Sequence, residues 1–125
     1  METLVEVHSG VRWLVLLALL AGAVVGIYRA RTGAAWESGL FQIGVIALDV
    51  QVLIGIVIWI VDDAWSETFF YKIIHPGVML VALAVAHVGL VLAKRRDDDR
   101  SNMLTGGSFI LALVMITAAI PWDRL

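Results

Sequence analysis

The chain of 125 residues has no cysteine, only two prolines and few charged residues. The absence of cysteine excludes disulfide bonds, a thiolate nucleophile, iron–sulfur ligation and a cysteine zinc site. Charged residues make up 16% of the chain and the net charge is −2, which argues against nucleic acid as a partner. Hydrophobic residues make up 61% of it, more than a soluble domain of this length could bury. We therefore expect the chain to lie in a lipid bilayer.

Four apolar stretches account for most of this hydrophobicity, and each is long enough to cross a hydrocarbon core of about 30 Å as a helix. We expect these helices at about 9–29, 39–61, 72–94 and 102–121. Backbone groups in a bilayer must be bonded internally, which favours helices over an open sheet. The sequence thus predicts an all-α fold, with residues 1–125 forming a single integral membrane domain. Short loops between the stretches predict an up-down-up-down four-helix bundle.

Basic residues are divided unevenly between the two sides of this bundle. Six of the nine Lys and Arg residues lie in or next to the first and third loops: Arg29, Arg31, Lys94, Arg95, Arg96 and Arg100. Cytoplasmic loops of membrane proteins carry an excess of Lys and Arg. We therefore predict a multi-pass protein of the plasma membrane with both termini outside the cytoplasm.

Two histidines are expected at one depth near the outer face of the membrane. His8 lies near the start of the first helix and His75 near the start of the third, and these two helices run in the same direction. His87 follows His75 by twelve residues, which is about 18 Å along a helix, so it belongs to a deeper layer. Ionisable groups inside a membrane cost about 2.5–3.5 kcal/mol at a helix centre, so each of them needs a physical reason.

The outer pair, His8 and His75, has three interpretations. In the first, two neutral imidazoles from different helices bind the iron of a haem b from opposite sides. Arg12, one turn after His8, would then pair with a haem propionate. The second is a zinc or copper site formed by the two histidines, which lacks a clear third ligand. In the third, all three side chains simply lie at the level of the lipid head groups.

Asp49 and His87 are expected to form a second pair in the deeper layer. Asp49 lies twelve residues before Val61 on the oppositely running second helix, at the level of His87. Since an unpaired charge there is costly, we expect a buried, mutually bonded pair that fixes the register of two helices. A second interpretation makes the pair, together with Gln51 or Gln42, a proton-conducting step or a contact to a quinone.

Four segments occur in the order and spacing of a known group of proteins: His8-Ser9-Gly10-Val11-Arg12-Trp13, Asp49-Val50-Gln51-Val52-Leu53-Ile54-Gly55, His75-Pro76-Gly77-Val78-Met79 and Ile120-Pro121-Trp122. They resemble small four-helix bacterial membrane proteins labelled cytochrome b. The first segment also resembles the histidine-glycine-arginine element of succinate dehydrogenase membrane anchors, which lies near haem and quinone. Trp13 stands where those anchors carry a second histidine.

The resemblance implies haem b at His8 and His75 and one-electron transfer in a bacterial inner membrane, with a quinol or another protein as redox partner. An alternative function is a non-catalytic small subunit or scaffold of a larger complex, whose glycine-lined faces hold partner helices. A third, a small dimeric transporter around Asp49, lacks the broken helices and internal repeats of such proteins. No catalytic residue is predicted. Association into a homo-oligomer is compatible with each of these functions.

Overall fold

The computed structural model describes residues 2–61, 69–98 and 100–120, and these residues form helices and connecting turns without any strand. The helices are α1 (Glu2–Thr32), α2 (Gly39–Val61), α3 (His75–Arg96) and α4 (Arg100–Ala119). A π-helical turn at Phe70–Ile74 leads into α3. All four α-helices are long and apolar enough to cross a membrane. The predictions of an all-α fold and of four helices of spanning length are therefore confirmed.

The first helix starts earlier than the sequence predicts, at Glu2 rather than near residue 9. The apolar stretch marks only the part of a helix that suits hydrocarbon, whereas hydrogen bonding can continue into the polar interface. Glu6 in the first turns favours this extension, because a carboxylate near a helix N-terminus interacts well with the helix dipole. His8 consequently lies inside the second turn of α1 and not at its beginning.

The entry into α3 is shaped by Pro76. Proline has no N–H, and its ring crowds the carbonyl group four residues earlier in a helix. That carbonyl belongs to Lys72, and its oxygen accepts a hydrogen bond from Trp59 Nε1 at 3.0 Å. The π-helical turn just before α3 is the kind of local widening that accommodates such an irregularity. The end of α2 is thereby tied to the start of α3, next to His75.

Helices α1 and α4 cross at glycines. A Cβ atom on Gly26 would lie 2.8 Å from the carbonyl oxygen of Asn102 and 3.0 Å from the Cα of Gly106. One on Gly106 would lie 3.2 Å from the carbonyl oxygen of Ala23. Lipid supplies no hydrophobic force between helices, so close backbone contact of this kind is a main source of their attraction.

Phe109 fills the space beside this crossing. A Cβ atom on Gly22 of α1 would lie 2.7 Å from the Phe109 ring, and one on Gly44 of α2 would lie 3.1 Å from it. The fully buried ring therefore holds three helices together. It belongs to a continuous core with members from all four helices: Val15, Leu19, Ala23, Phe41, Val45, Leu48, Val52, Met79, Ala82, Ala86, Phe109, Ala112, Ile116 and Ile120.

Polar side chains at the start of α4 bind the loop that follows α1. Asn102 Nδ2 donates to the carbonyl oxygen of Ala34 at 2.8 Å, and Trp36 Nε1 donates to Thr105 Oγ1 at 3.1 Å. Asn102 and Thr105 are both fully buried. This network, which joins the first loop to the first turns of α4, was not predicted from the sequence.

We expect Gly26→Ala to destabilise the protein in detergent by about 1–3 kcal/mol, because the added methyl group meets backbone atoms that cannot rotate away. The matched control is Gly107→Ala, since a Cβ atom at Gly107 meets nothing within 4 Å. That control should leave the protein as stable or slightly more stable, as alanine is the better helix former. Thermal unfolding followed by circular dichroism measures both. Equal melting temperatures for the two variants would contradict the close α1–α4 contact.

Candidate functional site

The structure brings His8 and His75 together near the starts of α1 and α3. Their ring centroids are 6.4 Å apart, and the ring planes lie at 83° to each other. Both side chains are partly buried. The expectation that these two histidines share one level is therefore matched by direct proximity of their rings.

Two residues of α2, Gln51 and Gly55, lie next to His8. Gln51 Nε2 donates to the carbonyl oxygen of His8 at 2.7 Å, and Gln51 is buried. One turn later, a Cβ atom on Gly55 would lie 3.2 Å from His8 Cε1, so the glycine leaves room for the imidazole. One interpretation of the sequence placed Gln51 or Gln42 next to the Asp49–His87 pair, whereas the structure places Gln51 beside His8. The spacing of four between Gln51 and Gly55 was the available signal, since it puts both on one helix face.

A backbone carbonyl fixes the orientation of His75. Its Nδ1 lies 2.9 Å from the carbonyl oxygen of Ala119 at the end of α4. A carbonyl oxygen only accepts hydrogen bonds, so Nδ1 carries a proton, and in a neutral imidazole with this tautomer the lone pair is on Nε2. Metal-binding histidines usually donate their second ring N–H to a carbonyl or carboxylate oxygen in this way.

Several buried polar atoms around this pair have no hydrogen-bond partner. They are His8 Nδ1, Arg12 Nε and Gln51 Oε1. An unsatisfied buried polar group costs about 1–3 kcal/mol, so a polar partner for these three atoms would stabilise this end of the helices. Two further such atoms among the described residues, Arg29 Nε and Asn102 Oδ1, belong to the other end.

The separation of the two rings suits a shared metal ion. Two imidazoles that bind one metal ion from opposite sides have ring centroids about 6 Å apart, because each metal–nitrogen bond is about 2 Å long and each ring centroid lies further out than its nitrogen. The observed 6.4 Å fits that separation. Within the described part of the chain, no group of three or more His, Asp or Glu residues could hold a metal ion. Two nitrogen donors alone suit a haem, whose macrocycle supplies the other four ligands, better than a zinc site with four protein ligands.

Arg12 supplies a cation near His8. Its guanidinium carbon lies 5.2 Å from the centroid of the Trp13 ring, within the range of a cation–π contact. Arg12 and His8 are four residues apart and thus share a face of α1. A carboxylate group near His8 would therefore find a positive charge one helical turn away.

Asp49 and His87 are also in contact. His87 Nε2 lies 2.7 Å from Asp49 Oδ1, which joins α2 to α3 in the way the sequence analysis expected. Within this single chain the pair is only partly buried, since the His87 side chain is 45% exposed and that of Asp49 is 43% exposed. The reason is that α2 and α3 pack together less extensively than the other neighbouring helices. The two side chains meet at the edge of the contact between α2 and α3, which we call the seam, and not inside the core.

Comparison of the chain with protein-family models, with curated proteins and with solved structures finds no match. The resemblance to small cytochrome b-like proteins therefore rests on the four short segments. Two residues of the last segment, Pro121 and Trp122, lie outside the described residues. The contacts around His8, His75 and Asp49 are consequently the basis for any functional proposal.

We expect Asp49→Ala and His87→Ala to be coupled in a double-mutant cycle of stability in detergent. Hydrogen bonds between helices in membrane proteins contribute about 0.6 kcal/mol on average, and a coupling of at least that size is the expected result. Pairing Asp49→Ala with Ser108→Ala provides the control. Ser108 lies on α4 and bonds the carbonyl oxygen of Leu104 on its own helix, so this second cycle should be additive. Additivity in both cycles would contradict the Asp49–His87 bond.

Proposed function

We propose that the protein is a membrane electron carrier in which His8 and His75 bind one haem b between α1 and α3. The observation that carries the proposal is the pair of imidazole rings with centroids 6.4 Å apart. The haem, when bound, supplies reversible one-electron oxidation and reduction of its iron. A quinol or another protein is the proposed redox partner.

Each residue around the pair has a separate role in this proposal. The bond from His75 Nδ1 to Ala119 holds the imidazole in the tautomer whose Nε2 can bind iron. Gly55 leaves space for the His8 ring, and Gln51 holds the backbone of α1 at His8. Arg12 would neutralise a haem propionate, a role that suits its partly buried guanidinium.

The same contacts support a bundle whose helices run up, down, up and down. Near the start of α1, His8 contacts Gln51 and Gly55 in the second half of α2. At the start of α3, His75 bonds Ala119 at the end of α4. Sequential helices with such end-to-start contacts are antiparallel, and four of them in a membrane bring both chain ends to one side.

We expect His8→Ala and His75→Ala each to abolish the reduced-minus-oxidised haem spectrum of the purified protein, because either change removes one of the two histidines that would hold the haem. His87→Ala is the control and should keep the spectrum, since His87 lies about 18 Å further along α3. The ratio of haem to protein should fall in parallel with the spectrum. Circular dichroism should show that all three variants remain helical.

A wild-type protein that purifies colourless from cells with ample haem would contradict this function. So would a haem spectrum that survives loss of either His8 or His75. Either result would favour the alternative function, a non-catalytic subunit of a larger membrane complex.

We also propose that both termini lie outside the cytoplasm of a bacterial inner membrane. The last turns of α1 and α3 carry basic residues, and the opposite ends of these helices carry few. Basic residues of short loops remain on the cytoplasmic side. The haem site would then lie near the outer face.

We expect alkaline phosphatase fused after Leu125 to be active, because that enzyme folds only outside the cytoplasm, where its disulfides can form. A green fluorescent protein inserted in the loop between α1 and α2 should be fluorescent in the same cells. The reverse pattern would overturn the orientation without affecting the haem ligands.

A further inference from the structure

The Asp49–His87 pair occupies an unusual position for polar side chains. Asp49 lies near the middle of α2 and His87 near the middle of α3. Apart from their mutual bond, neither side chain has a hydrogen bond to the described part of the chain. Nearly half of each side chain is nevertheless exposed. In a membrane, a single copy of this chain would present the pair to hydrocarbon, where polar groups without partners are costly.

The surface around the pair is apolar. On α2, Ile46 and Leu53 lie one turn before and one turn after Asp49, and both are exposed. On α3, Val91 lies one turn after His87 and is exposed as well. The pair is therefore a polar island on an apolar face formed by α2 and α3, which we name the seam face.

Hydrogen-bonding capacity determines what can cover this island. A net charge at mid-membrane is costly, so a neutral pair is favoured. Either Asp49 is protonated and donates to His87 Nε2, which leaves the ring proton on Nδ1, or an ionised Asp49 faces an imidazolium with protons on both nitrogens. In both forms Nδ1–H is an unused donor and the Asp49 Oδ2 atom is an unused acceptor. The island thus offers one donor and one acceptor.

We propose that the seam face binds a second copy of this chain, forming a homodimer with its twofold axis along the membrane normal. In this dimer, His87 Nδ1–H of each copy donates to Asp49 of the other. A surface with one donor and one acceptor is complementary to itself across a twofold axis, which is the requirement for an isologous interface.

Depth in the membrane favours a second copy as the partner. All copies of one chain insert in the same orientation, and a twofold axis along the membrane normal keeps every residue at its own depth. Asp49 and His87 share a level within one copy, so they also share it between two copies. Two hydrogen bonds then form inside the membrane, and the apolar neighbours Ile46 and Leu53 pack around them. The dimer does not involve the haem site at His8 and His75.

The absence of cysteine allows a direct experiment, because any introduced cysteine is the only one in the chain. Ile46→Cys and Leu53→Cys flank the island, and Leu17→Cys is the matched control. Leu17 lies near the middle of α1 and is 64% exposed, similar to the 61% of Leu53. With a mild oxidant in native membranes, we expect a disulfide-linked dimer from at least one seam-face variant and monomer from the control.

A second measurement tests the polar island itself. We expect the double variant Asp49→Leu with His87→Leu to weaken dimerisation in lipid vesicles about tenfold, as befits the loss of two hydrogen bonds between membrane helices. Energy transfer between labelled copies at increasing lipid dilution measures this change. Circular dichroism of the same samples verifies that the variant keeps its helices.

Three outcomes would overturn the proposal. They are the absence of a dimer from both seam-face cysteines, equal cross-linking from Leu17→Cys, and undiminished dimerisation of the double leucine variant. A further contradicting result would be cross-linking of the seam-face cysteines to a different membrane protein and not to a second copy. The seam face would then bind a different chain. None of these outcomes depends on whether haem is bound, so failure of the dimer and failure of the haem proposal remain distinguishable.

Discussion

The close approach of α1 and α4 at Gly26 and Gly106 is the contact on which the arrangement of the other helices depends. Once these two backbones touch, Phe109 is directed into the space left by Gly22 and Gly44, which positions α2 on the same core. Helix α3 packs mainly on α4. The approach of His8 to His75 therefore depends less on direct packing of α1 against α3 than on the positions of both helices relative to α4.

The helices and the depth of each polar residue could be predicted from the sequence, whereas the rotation of each helix could not. Hydropathy reports whether a stretch suits hydrocarbon, and a rise of about 1.5 Å per residue converts position into depth. Those two quantities suffice to put His8 level with His75 and Asp49 level with His87. Rotation about the helix axis instead depends on which small residues allow close contact. For this reason the contact between Gln51 and His8 and the partial exposure of the Asp49–His87 pair could not be predicted from the sequence.

The seam between α2 and α3 differs from the rest of the core in what holds it together. Elsewhere, glycines and apolar side chains interlock, and that packing resists separation along the whole length of a helix. At the seam this packing is less extensive, and two directional bonds join the same region: the Trp59 indole with the Lys72 carbonyl, and Asp49 with His87. Directional bonds at two points fix the register of the two helices while leaving the surface between them open to lipid or to another chain.

The bond from His75 to the carbonyl oxygen of Ala119 makes this chain more sensitive to insertions and deletions in α4 than to substitution of Ala119. Because the acceptor is a backbone atom, the bond itself does not depend on which side chain position 119 carries. It depends instead on the number of residues between the α1–α4 crossing and the end of α4. One inserted or deleted codon in that interval would rotate the carbonyl by about 100° and move it by about 1.5 Å. The number of residues in this part of α4, more than the identity of any one of them, therefore determines whether His75 can form its bond.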